Sequence, residues 1–485
     1  MQIENLNPQL VFKYFNEICK IPRGSGNEKQ ISDYLSNEGR RLGLKVIQDE
    51  YLNVIIKKNA TKGYENSPVV ILQGHMDMVC EKNKVTNHDF EKDPIKLRVN
   101  GDYLYATDTT LGADNGIAVA MAMAVLASND LAHPAIEVVF TTDEEESMNG
   151  AMNLRGDLFK GQYIINLDSE EEGTITVSCA GGVTAIIDIP KEYKDILDEK
   201  IAYKIDIKGL LGGHSGMEID KQRANSNILM GRILNHILYN AKIEFDLVSI
   251  SGGVKNNAIP REAECVILVA KENEISLQKE LNNIYNVFKN EFKTSDPDIK
   301  ILYSKLEVSY KQSLTNEIRD NIICVINLMP NGIQTMSMDI KGLVESSTNL
   351  GVIATNENNI VFEFATRSSV KSLKDEINNK MILLCNRLGV KLKLIDDYPE
   401  WEYAKGSKLE QICVDTYEEL RNEKPHICAI HAGLECGLLL DAIKGAQAVS
   451  IGPNIYDVHT PNEHLDISST NRTWEYLTSI LKNIK

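Results

Sequence analysis

The chain has 485 residues, about three times the usual length of one domain, so its length predicts two or three folding units. Apolar residues make up 43% and charged residues 25%, which is typical of a globular protein and excludes a disordered or collagen-like chain. The formal net charge of −17 disfavours non-specific binding to nucleic acid or to an anionic membrane, because the overall field repels phosphate.

The sequence predicts a cytoplasmic protein without a membrane-spanning segment. Residues 1–20 lack the basic start and apolar core of a secretory signal. The longest strongly apolar stretch, Ile117 to Ala127, has 11 residues, fewer than the roughly 20 needed to cross a bilayer. Nine cysteines without a CxxC pair indicate reduced thiols rather than a disulfide framework.

The first third of the chain alternates helical and β-rich segments. Amphipathic patterns predict helices over 7–18 and 31–42. Continuous apolar runs, as expected of strands buried on both faces, cover 69–73, 136–141 and 163–167. A third helix is predicted over 117–126, with Asp114 or Asn115 available to bind the free N–H groups at its start. This alternation predicts an α/β unit with a largely parallel sheet.

The pattern changes near residue 182. Alternating strand-like runs and polar helical segments then predict an antiparallel sheet with helices on one face, a separate α+β domain. After Trp401 the α/β pattern returns, with a helix over 407–421 and a strand that ends at Pro453. The predicted architecture is one α/β domain in two pieces with the α+β domain inserted as a lid: 1–181, 182–396 and 397–485.

Polar side chains that can bind metal follow several apolar runs or lie at glycine-marked turns. They are His75, Asp77, Asp114, Glu144, Glu145, Asp168 and His459. Each also has an ordinary structural interpretation, as a polar strand end, a helix cap, a solvated acidic run or a surface histidine. Their joint placement is what matters, because ligands bind at the carboxyl ends of strands in α/β sheets.

This set of side chains has the chemistry of a site for two metal ions. Imidazole and carboxylate are ligands that Zn²⁺, Co²⁺ and Mn²⁺ accept. Two histidines and three carboxylates suffice for two ions if one carboxylate bridges them. Ions held ~3.5–4 Å apart can share a hydroxide and polarise a carbonyl, which suits amide hydrolysis. No phosphate-binding loop is present, since the sequence has neither GxxxxGK[ST] nor GxGxxG after a strand.

An ordered set of motifs spans the chain: QGHMDMV, TLGADNGIAVAMAMA, GGHSG, NNAIPRE, HAGLECG and SIGP followed by HTPNE. The sequence resembles the M20-type metallopeptidases, specifically the aminoacyl-histidine dipeptidases (Xaa-His dipeptidases, bacterial carnosinase-like). The resemblance implies a zinc-aminopeptidase-like catalytic domain with a mixed, mainly parallel sheet, and an inserted α+β lid domain.

The resemblance also implies roles for the metal-binding residues. One ion would be held by His75 and Asp168, and the other by Glu145 and His459, with Asp114 as the bridge. Asp77 would hydrogen-bond His75 and orient its ring. Glu144 would be the general base; because Glu146 follows, a slip of one residue is possible, and the trailing Met148-x-Gly150-Ala151 fixes the register.

In the middle domain, the resemblance implies that His214 stabilises the oxyanion in a neighbouring active site. Asn257 and Arg367 would bind the carboxylate of the substrate, since the planar guanidinium fork gives two parallel hydrogen bonds. Gly433 would offer backbone groups near the same carboxylate. For His431 and Glu435, in the same HAGLECG motif, a packing role is the interpretation we favour.

The implied activity is hydrolysis of dipeptides, Xaa-His or carnosine-like or of broad specificity, by a metal-bridging hydroxide with Glu144 as base. Two divalent ions, most simply Zn²⁺ with Co²⁺ or Mn²⁺ as alternatives, and a homodimer are also implied. Neither nucleic acid nor membrane is an expected partner. Two alternatives stay open: an N-acyl-amino-acid deacylase of the same fold, and a non-catalytic protein that binds metal or peptide.

Overall fold

The computed structural model describes residues 3–485. The α-helices are α1 Gln9–Ile18, α2 Lys29–Arg41, α3 Ala113–Ala127, α4 Asn149–Met152, α5 Ser226–Asn235, α6 Glu274–Glu291, α7 Asn316–Leu328, α8 Lys371–Leu388, α9 Lys408–Arg421, α10 Glu435–Ala442 and α11 Ile467–Asn483. Within residues 3–485, no helix is both long enough and apolar enough to cross a bilayer.

The strands in the first half of the chain are β1 Lys45–Gln48, β2 Val54–Lys58, β3 Val70–His75, β4 Leu97–Asn100, β5 Tyr103–Ala106, β6 Ile136–Thr141, β7 Tyr163–Asn166, β8 Thr174–Cys179, β9 Gly181–Pro190, β10 Tyr193–Asp195, β11 Lys200–Lys208 and β12 Gly213–His214. Those in the second half are β13 Phe245–Gly252, β14 Ala258–Ile259, β15 Ala263–Ala270, β16 Lys300–Leu306, β17 Gln312–Leu314, β18 Gly332–Met336, β19 Val344–Thr355, β20 Asn359–Ser368, β21 Lys391–Tyr398, β22 His426–Ile430, β23 Gln447–Ser450, β24 Ile455–Tyr456 and β25 His464–Asp466.

The chain divides into two compact units. The first comprises residues 3–179, Tyr403–Ala429 and Leu434–Lys485; the second comprises Ala180–Glu402 and Ile430–Gly433. The predicted divisions were after residues 181 and 396. The second observed division comes later because β21 pairs with β9 and so belongs to the sheet of the second unit.

The first unit is built on an eight-stranded mixed sheet in the order β1-β2-β6-β3-β7-β23-β8-β22. Its four central strands, β6, β3, β7 and β23, pair with one another in parallel. The outer strands β1, β2 and β8 pair with their neighbours in the antiparallel direction. Every residue of β3, β6 and β7 is buried, which explains why these strands are continuous apolar runs. The predicted α/β fold with a mixed, partly parallel sheet is confirmed.

Helix α3 covers this sheet and packs against α1 and β3. Nearly every one of its side chains is buried, so it is apolar on all sides instead of amphipathic. It begins at Ala113, four residues before the predicted start, with non-helical backbone at Asp114 and Asn115. A smaller sheet, in the order β24-β25-β5-β4, carries the turn between β24 and β25 in which His459 lies.

The second unit is the predicted α+β domain. Its nine-stranded sheet follows the order β16-β11-β15-β13-β19-β20-β9-β21, with β18 pairing β19, and its paired strands are antiparallel. Alternate strand residues share one apolar core with helices α5 to α8, among them Ile187, Ile205, Phe362 and Ile377. The helices therefore cover one face of the sheet. A short ribbon of β12 and β14 places His214 next to Ala258.

Candidate active site

The ends of the parallel strands bring the predicted metal ligands of the first unit together. Strand β3 ends at His75, and His75 lies opposite Thr141 at the end of β6. Strand β7 ends at Asn166, two residues before Asp168. Because parallel strands end at the same edge of a sheet, polar residues that follow them meet there. The side chains that are distant in sequence converge at this edge.

The first group of possible ligands is His75, Asp114 and Asp168, whose ligand atoms all lie within 4.8 Å of one another. The Nε2 atom of His75 is 3.2 Å from Oδ1 of Asp114 and 3.6 Å from Oδ1 of Asp168. His75 is almost fully buried. One cation between these three atoms would have one nitrogen and two oxygen ligands.

The second group is Asp114, Glu145 and His459. The Nε2 atom of His459 lies 3.1 Å from Oδ2 of Asp114 and 3.0 Å from Oε2 of Glu145. Asp114 thus directs one carboxylate oxygen toward each histidine, which is the geometry required of a bridging ligand. Both predicted ligand pairs, His75 with Asp168 and Glu145 with His459, share Asp114 in the structure.

The donor set fits a pair of divalent cations. The Oε1 atom of Glu145 is buried and has no hydrogen-bond partner among residues 3–485. Such an orphaned carboxylate oxygen is costly unless something binds it. Imidazole nitrogen and carboxylate oxygen are also ligands that zinc, cobalt and manganese accept.

Glu144 lies next to the same centre without contacting His459. Its Oε2 atom is 3.9 Å from Nε2 of His75, and it forms a third possible ligand group with His75 and Glu145. Burial, opposed by His75 and reinforced by nearby carboxylates, raises the pKa of Glu144 to about 8. Glu146 is exposed and belongs to none of the three groups. Glu144 and Glu145 therefore both lie at the centre, and Glu146 lies outside it.

Asp77 is completely buried and contacts both His75 and the backbone of the Glu144–Glu145 segment. Its Oδ1 atom lies 3.2 Å from Nδ1 of His75 and accepts a hydrogen bond from the backbone N–H of Glu144. Its Oδ2 atom accepts from the hydroxyl of Ser25 and from the backbone N–H of Glu145. Although burial opposes it, the hydrogen bond and charge of His75 lower the pKa of Asp77 to about 2. An ionised Asp77 fixes the His75 ring, with Nε2 left for a ligand.

The surrounding carboxylates make both histidines more basic. Hydrogen bonds to Asp114 and Glu145 raise the pKa of His459 to about 10. For His75, burial is the largest effect and lowers the pKa, but Asp168, Asp114 and Asp77 together raise it well above its usual value. The centre is therefore strongly negative in potential and attracts cations.

Glu463, which the sequence reasoning missed, holds the start of α3. Its buried carboxylate accepts hydrogen bonds from four consecutive backbone N–H groups, those of residues 111–114, at 2.7–3.3 Å. The prediction that Asp114 or Asn115 binds the free N–H groups of this helix is wrong, because neither side chain caps it. The carboxylate of Asp114 faces the histidines instead. Glu463 lies four residues after His459, so it ties together two loops that carry ligands.

Arg23 is a second residue that the sequence reasoning missed. It is 2% exposed, and Nη1 donates hydrogen bonds to the carbonyls of Met76 at 3.1 Å and Asp77 at 2.9 Å. Its Nη2 donates to the carbonyl of Gly112. Arg23 therefore joins the end of β3 to the loop before Asp114. No motif and no periodic pattern in the sequence could predict this role, because the backbone partners of Arg23 lie more than 50 residues away along the chain.

The second unit brings together the other predicted site residues. The imidazole Nδ1 of His214 accepts hydrogen bonds from the backbone N–H groups of Gly216 and Met217, and the carbonyl of Asn257 accepts one from Ser215. A methyl group added to Gly216 would lie 3.1 Å from Cε1 of His214 and 3.2 Å from Nε of Arg367. The absence of a side chain at Gly216 lets these two groups approach one another.

Arg367 and Gly433 belong to the same cluster. The Nη1 atom of Arg367 donates a hydrogen bond of 2.8 Å to the hydroxyl of Tyr398, and a methyl group on Gly433 would lie against the Tyr398 ring. The Nε atom of Arg367 is buried with no hydrogen-bond partner in the described part of the chain. A guanidinium with a free donor beside backbone glycines is suited to an anion such as a carboxylate.

His431 lies beside them and stays neutral. Its Nε2 atom is 2.7 Å from the hydroxyl of Ser347, and its buried Nδ1 atom has no partner within residues 3–485. Burial, reinforced by the positive charge of Arg367, lowers the pKa of His431 to about 3. Burial and Arg367 likewise lower the pKa of His214. Both imidazoles are uncharged at neutral pH.

Comparison with known proteins identifies the family. The model of peptidase family M20/M25/M40 matches residues 71–483. The chain belongs to this family. As a family member it is a hydrolase, and the predicted M20-type resemblance is confirmed.

Two relatives match the whole chain. The cytosol non-specific dipeptidase of Escherichia coli (strain K12) is 37% identical over 483 residues, which cover 100% of this chain and 99% of that protein. The crystal structure of aminoacylhistidine dipeptidase from Vibrio alginolyticus is 36% identical, with a TM-score of 0.95, and the match covers 100% of this chain and 98% of that chain.

A third match concerns the fold alone. The aminopeptidase PepT of Bacillus cereus is 15% identical with a TM-score of 0.56, over 99% of each chain. The overall fold of this chain is thus shared with a protein whose sequence has diverged widely.

Proposed function

We propose that this chain is a dipeptidase that hydrolyses the peptide bond of a dipeptide with two divalent metal ions. The observation that carries this proposal is the shared carboxylate: Asp114 lies between His75 and Asp168 on one side and Glu145 and His459 on the other. A single carboxylate between two sets of ligands is what a dinuclear centre requires. The family and the names of the full-length relatives support the same class of activity.

In this proposal His75, Asp114, Glu145, Asp168 and His459 hold the ions. When bound, two such ions polarise the scissile carbonyl and make a water nucleophilic near neutral pH. Zn²⁺ is our first choice, and Co²⁺ and Mn²⁺ suit the same ligands. Asp77 keeps the His75 ring oriented, because its carboxylate contacts Nδ1.

Glu144 is the proposed general base. It takes a proton from the attacking water and later gives it to the departing amine. Its carboxylate lies beside His75 without a hydrogen bond to it, and its raised pKa suits a group that must both accept and return a proton.

The cluster of the second unit supplies the proposed contacts with the substrate. Arg367, with its unpartnered Nε, binds the substrate carboxylate together with Asn257 and the backbone at Gly433. Neutral His214 is the proposed donor to the oxyanion, since an uncharged imidazole retains one N–H to donate. These roles come from the motifs and from the contacts within this unit.

The proposed substrates are free dipeptides. The two full-length relatives are named for different preferences, a non-specific dipeptidase and an aminoacylhistidine dipeptidase. A panel with Xaa-His, β-alanyl-histidine and other dipeptides, run beside N-acetyl amino acids, measures the preference. Faster turnover of the N-acetyl compounds would favour a deacylase instead.

We also propose a cellular location and an oligomeric state. The Escherichia coli relative is named a cytosol enzyme, and we propose the cytoplasm for this chain. We propose a homodimer from the resemblance of the motifs. Sedimentation equilibrium measures the mass, and a 54.2 kDa species would contradict the dimer.

The decisive experiment compares Glu144→Gln with Glu146→Gln. Glu144→Gln should lower kcat by about 10²- to 10⁴-fold, the usual contribution of a general base, while the metal content stays that of wild type. Glu146→Gln is the matched control, because Glu146 is exposed and outside the ligand groups. Near-normal turnover by Glu144→Gln with metal bound would refute the assignment.

A further inference from the structure

Glu435 is a buried carboxylate that the proposed mechanism does not use. It is the first residue of α10 and has no exposed surface. Its Oε2 atom accepts hydrogen bonds from the side-chain amide of Gln73 and, at 2.7 Å, from the hydroxyl of Thr141. Its Oε1 atom has no hydrogen-bond partner in the part of the chain that the structure describes.

The two partners of Glu435 belong to the strands that end at the metal centre. Thr141 is the register partner of His75 across β6 and β3. Gln73 precedes His75 by two residues, so both side chains point to the same face of β3. Gln73 also accepts a hydrogen bond from Asn166, two residues before Asp168. Glu435 therefore contacts both strands that end beside His75, and Gln73 connects it to the strand that leads to Asp168.

No cation of the protein neutralises Glu435. Within residues 3–485, neither lysine nor arginine forms an ion pair with it. Burial raises the pKa of Glu435 to about 7 and His75 opposes this shift, so the carboxylate is ionised at pH 8; its negative charge in turn raises the pKa of both Glu144 and Asp168. A buried charge without a partner destabilises the fold, because it loses its hydration.

A purely structural role would not need this charge. A glutamine of the same size could accept the same hydrogen bonds from Gln73 and Thr141 without burying a charge. What the carboxylate adds is negative potential next to a centre that binds cations.

We propose that Glu435 is a positioning residue whose buried negative charge strengthens the binding of divalent cations at the adjacent centre without ligating them. It acts through the electrostatic potential at the centre, from a position fixed by its hydrogen bonds to Gln73 and Thr141 beside His75. This inference rests on the proposed function, since it requires that the centre binds metal. Groups that hydrogen-bond a metal ligand directly commonly change metal affinity by about 10- to 100-fold, and we take this range as the scale for the charge of Glu435.

The test compares Glu435→Gln, Glu435→Asp and wild type in three measurements at pH 8. These are the dissociation constant for Zn²⁺ from competition with a chromophoric chelator, the absorption spectrum of the Co²⁺-loaded protein, and the thermal unfolding midpoint of the metal-free protein. Glu137→Gln is the matched control, because Glu137 is a buried carboxylate on β6 that pairs with Lys57.

We expect Glu435→Gln to weaken Zn²⁺ binding about 10- to 100-fold, while its metal-free midpoint is equal to that of wild type or higher. Glu435→Asp, which keeps the charge, should bind Zn²⁺ more tightly than Glu435→Gln does. Glu137→Gln should lower the midpoint and leave Zn²⁺ affinity and the Co²⁺ spectrum unchanged.

Two results would overturn the inference. One is a Zn²⁺ affinity of Glu435→Gln within threefold of wild type; the other is a loss of affinity accompanied by a lower metal-free midpoint, which indicates a structural role. If wild type binds two ions and cleaves dipeptides but Glu435→Gln has normal affinity, only this inference fails. If wild type binds no metal, the proposed function fails with it.

Discussion

The two clusters of site residues use histidine in opposite ways. In the first unit, His75 and His459 lie among carboxylates, which raise the pKa of both imidazoles. In the second unit, His214 and His431 lie by Arg367, and burial together with its charge lowers both pKa values. The carboxylates make the first cluster negative in potential, and Arg367 makes the second positive. The charges around a histidine decide whether its pKa is raised or lowered.

Among the variants that test this comparison, we expect Glu463→Gln to change metal affinity the most. Glu463→Gln replaces an oxygen that accepts backbone N–H groups with an amide that repels them, so the Asp114 loop should lose its position. We expect metal affinity to fall roughly 10- to 100-fold, measured by chelator competition. The control is Glu172→Gln, which removes a carboxylate paired with Arg472 in the same unit. An unchanged metal affinity in Glu463→Gln would show that the hydrogen bonds to Glu463 do not position Asp114.

A smaller effect is expected from Arg367→Lys in the anion-binding cluster. Lysine keeps the charge but loses the planar fork, so KM for dipeptides should rise roughly 10-fold with little change in metal content. Steady-state kinetics and metal analysis measure the two quantities. The control is Arg232→Lys, since Arg232 forms an exposed ion pair with Glu291. An unchanged KM would remove Arg367 from the proposed carboxylate site.

The smallest effect concerns the pH dependence of stability at His431. Its pKa is about 3 in the folded protein and ~6.5 in an unfolded chain, so below pH ~6.5 the unfolded state takes up a proton that the folded state does not. His431 thus contributes stability that is complete above pH ~6.5 and is lost as the pH falls toward 3. The slope is at most one proton, about 1.4 kcal/mol per pH unit.

The comparison for this effect is His431→Asn against Ser347→Ala. His431→Asn should flatten the decrease of the unfolding midpoint between pH 6.5 and pH 4. Ser347→Ala removes the hydroxyl beside Nε2 but no titrating group, so its slope should match wild type. An identical slope in all three proteins would contradict the neutral, buried imidazole.

The parts of the site that the sequence predicted are those marked by a local pattern. His75 and Asp168 follow apolar runs that form parallel strands, so their convergence follows from the topology of the sheet. Glu463, Arg23 and Glu435 follow no such run, and although Glu463 and Glu435 lie in the motifs HTPNE and HAGLECG, those motifs do not reveal their contacts. Each acts through partners far along the chain, and nothing near them in sequence reveals which backbone or side chain they contact.

Two features were predicted differently from what the structure contains. The start of α3 is capped by Glu463 rather than by Asp114 or Asn115, because the carboxylate of Asp114 is directed at the histidines. The second domain division is at residue 402, since β21 adds to the antiparallel sheet by pairing with β9. Local preferences predict a cap or a boundary, whereas long-range pairing decides it.

The most direct test of the shared carboxylate is a count of bound zinc per chain in wild type and Asp114→Asn. Wild type should bind two equivalents, and Asp114→Asn should bind fewer than two and hydrolyse no dipeptide. Asp102→Asn, an exposed aspartate on the turn before β5, should behave as wild type. A wild-type chain that binds one equivalent or none, or an Asp114→Asn variant that retains two, would contradict the dinuclear centre.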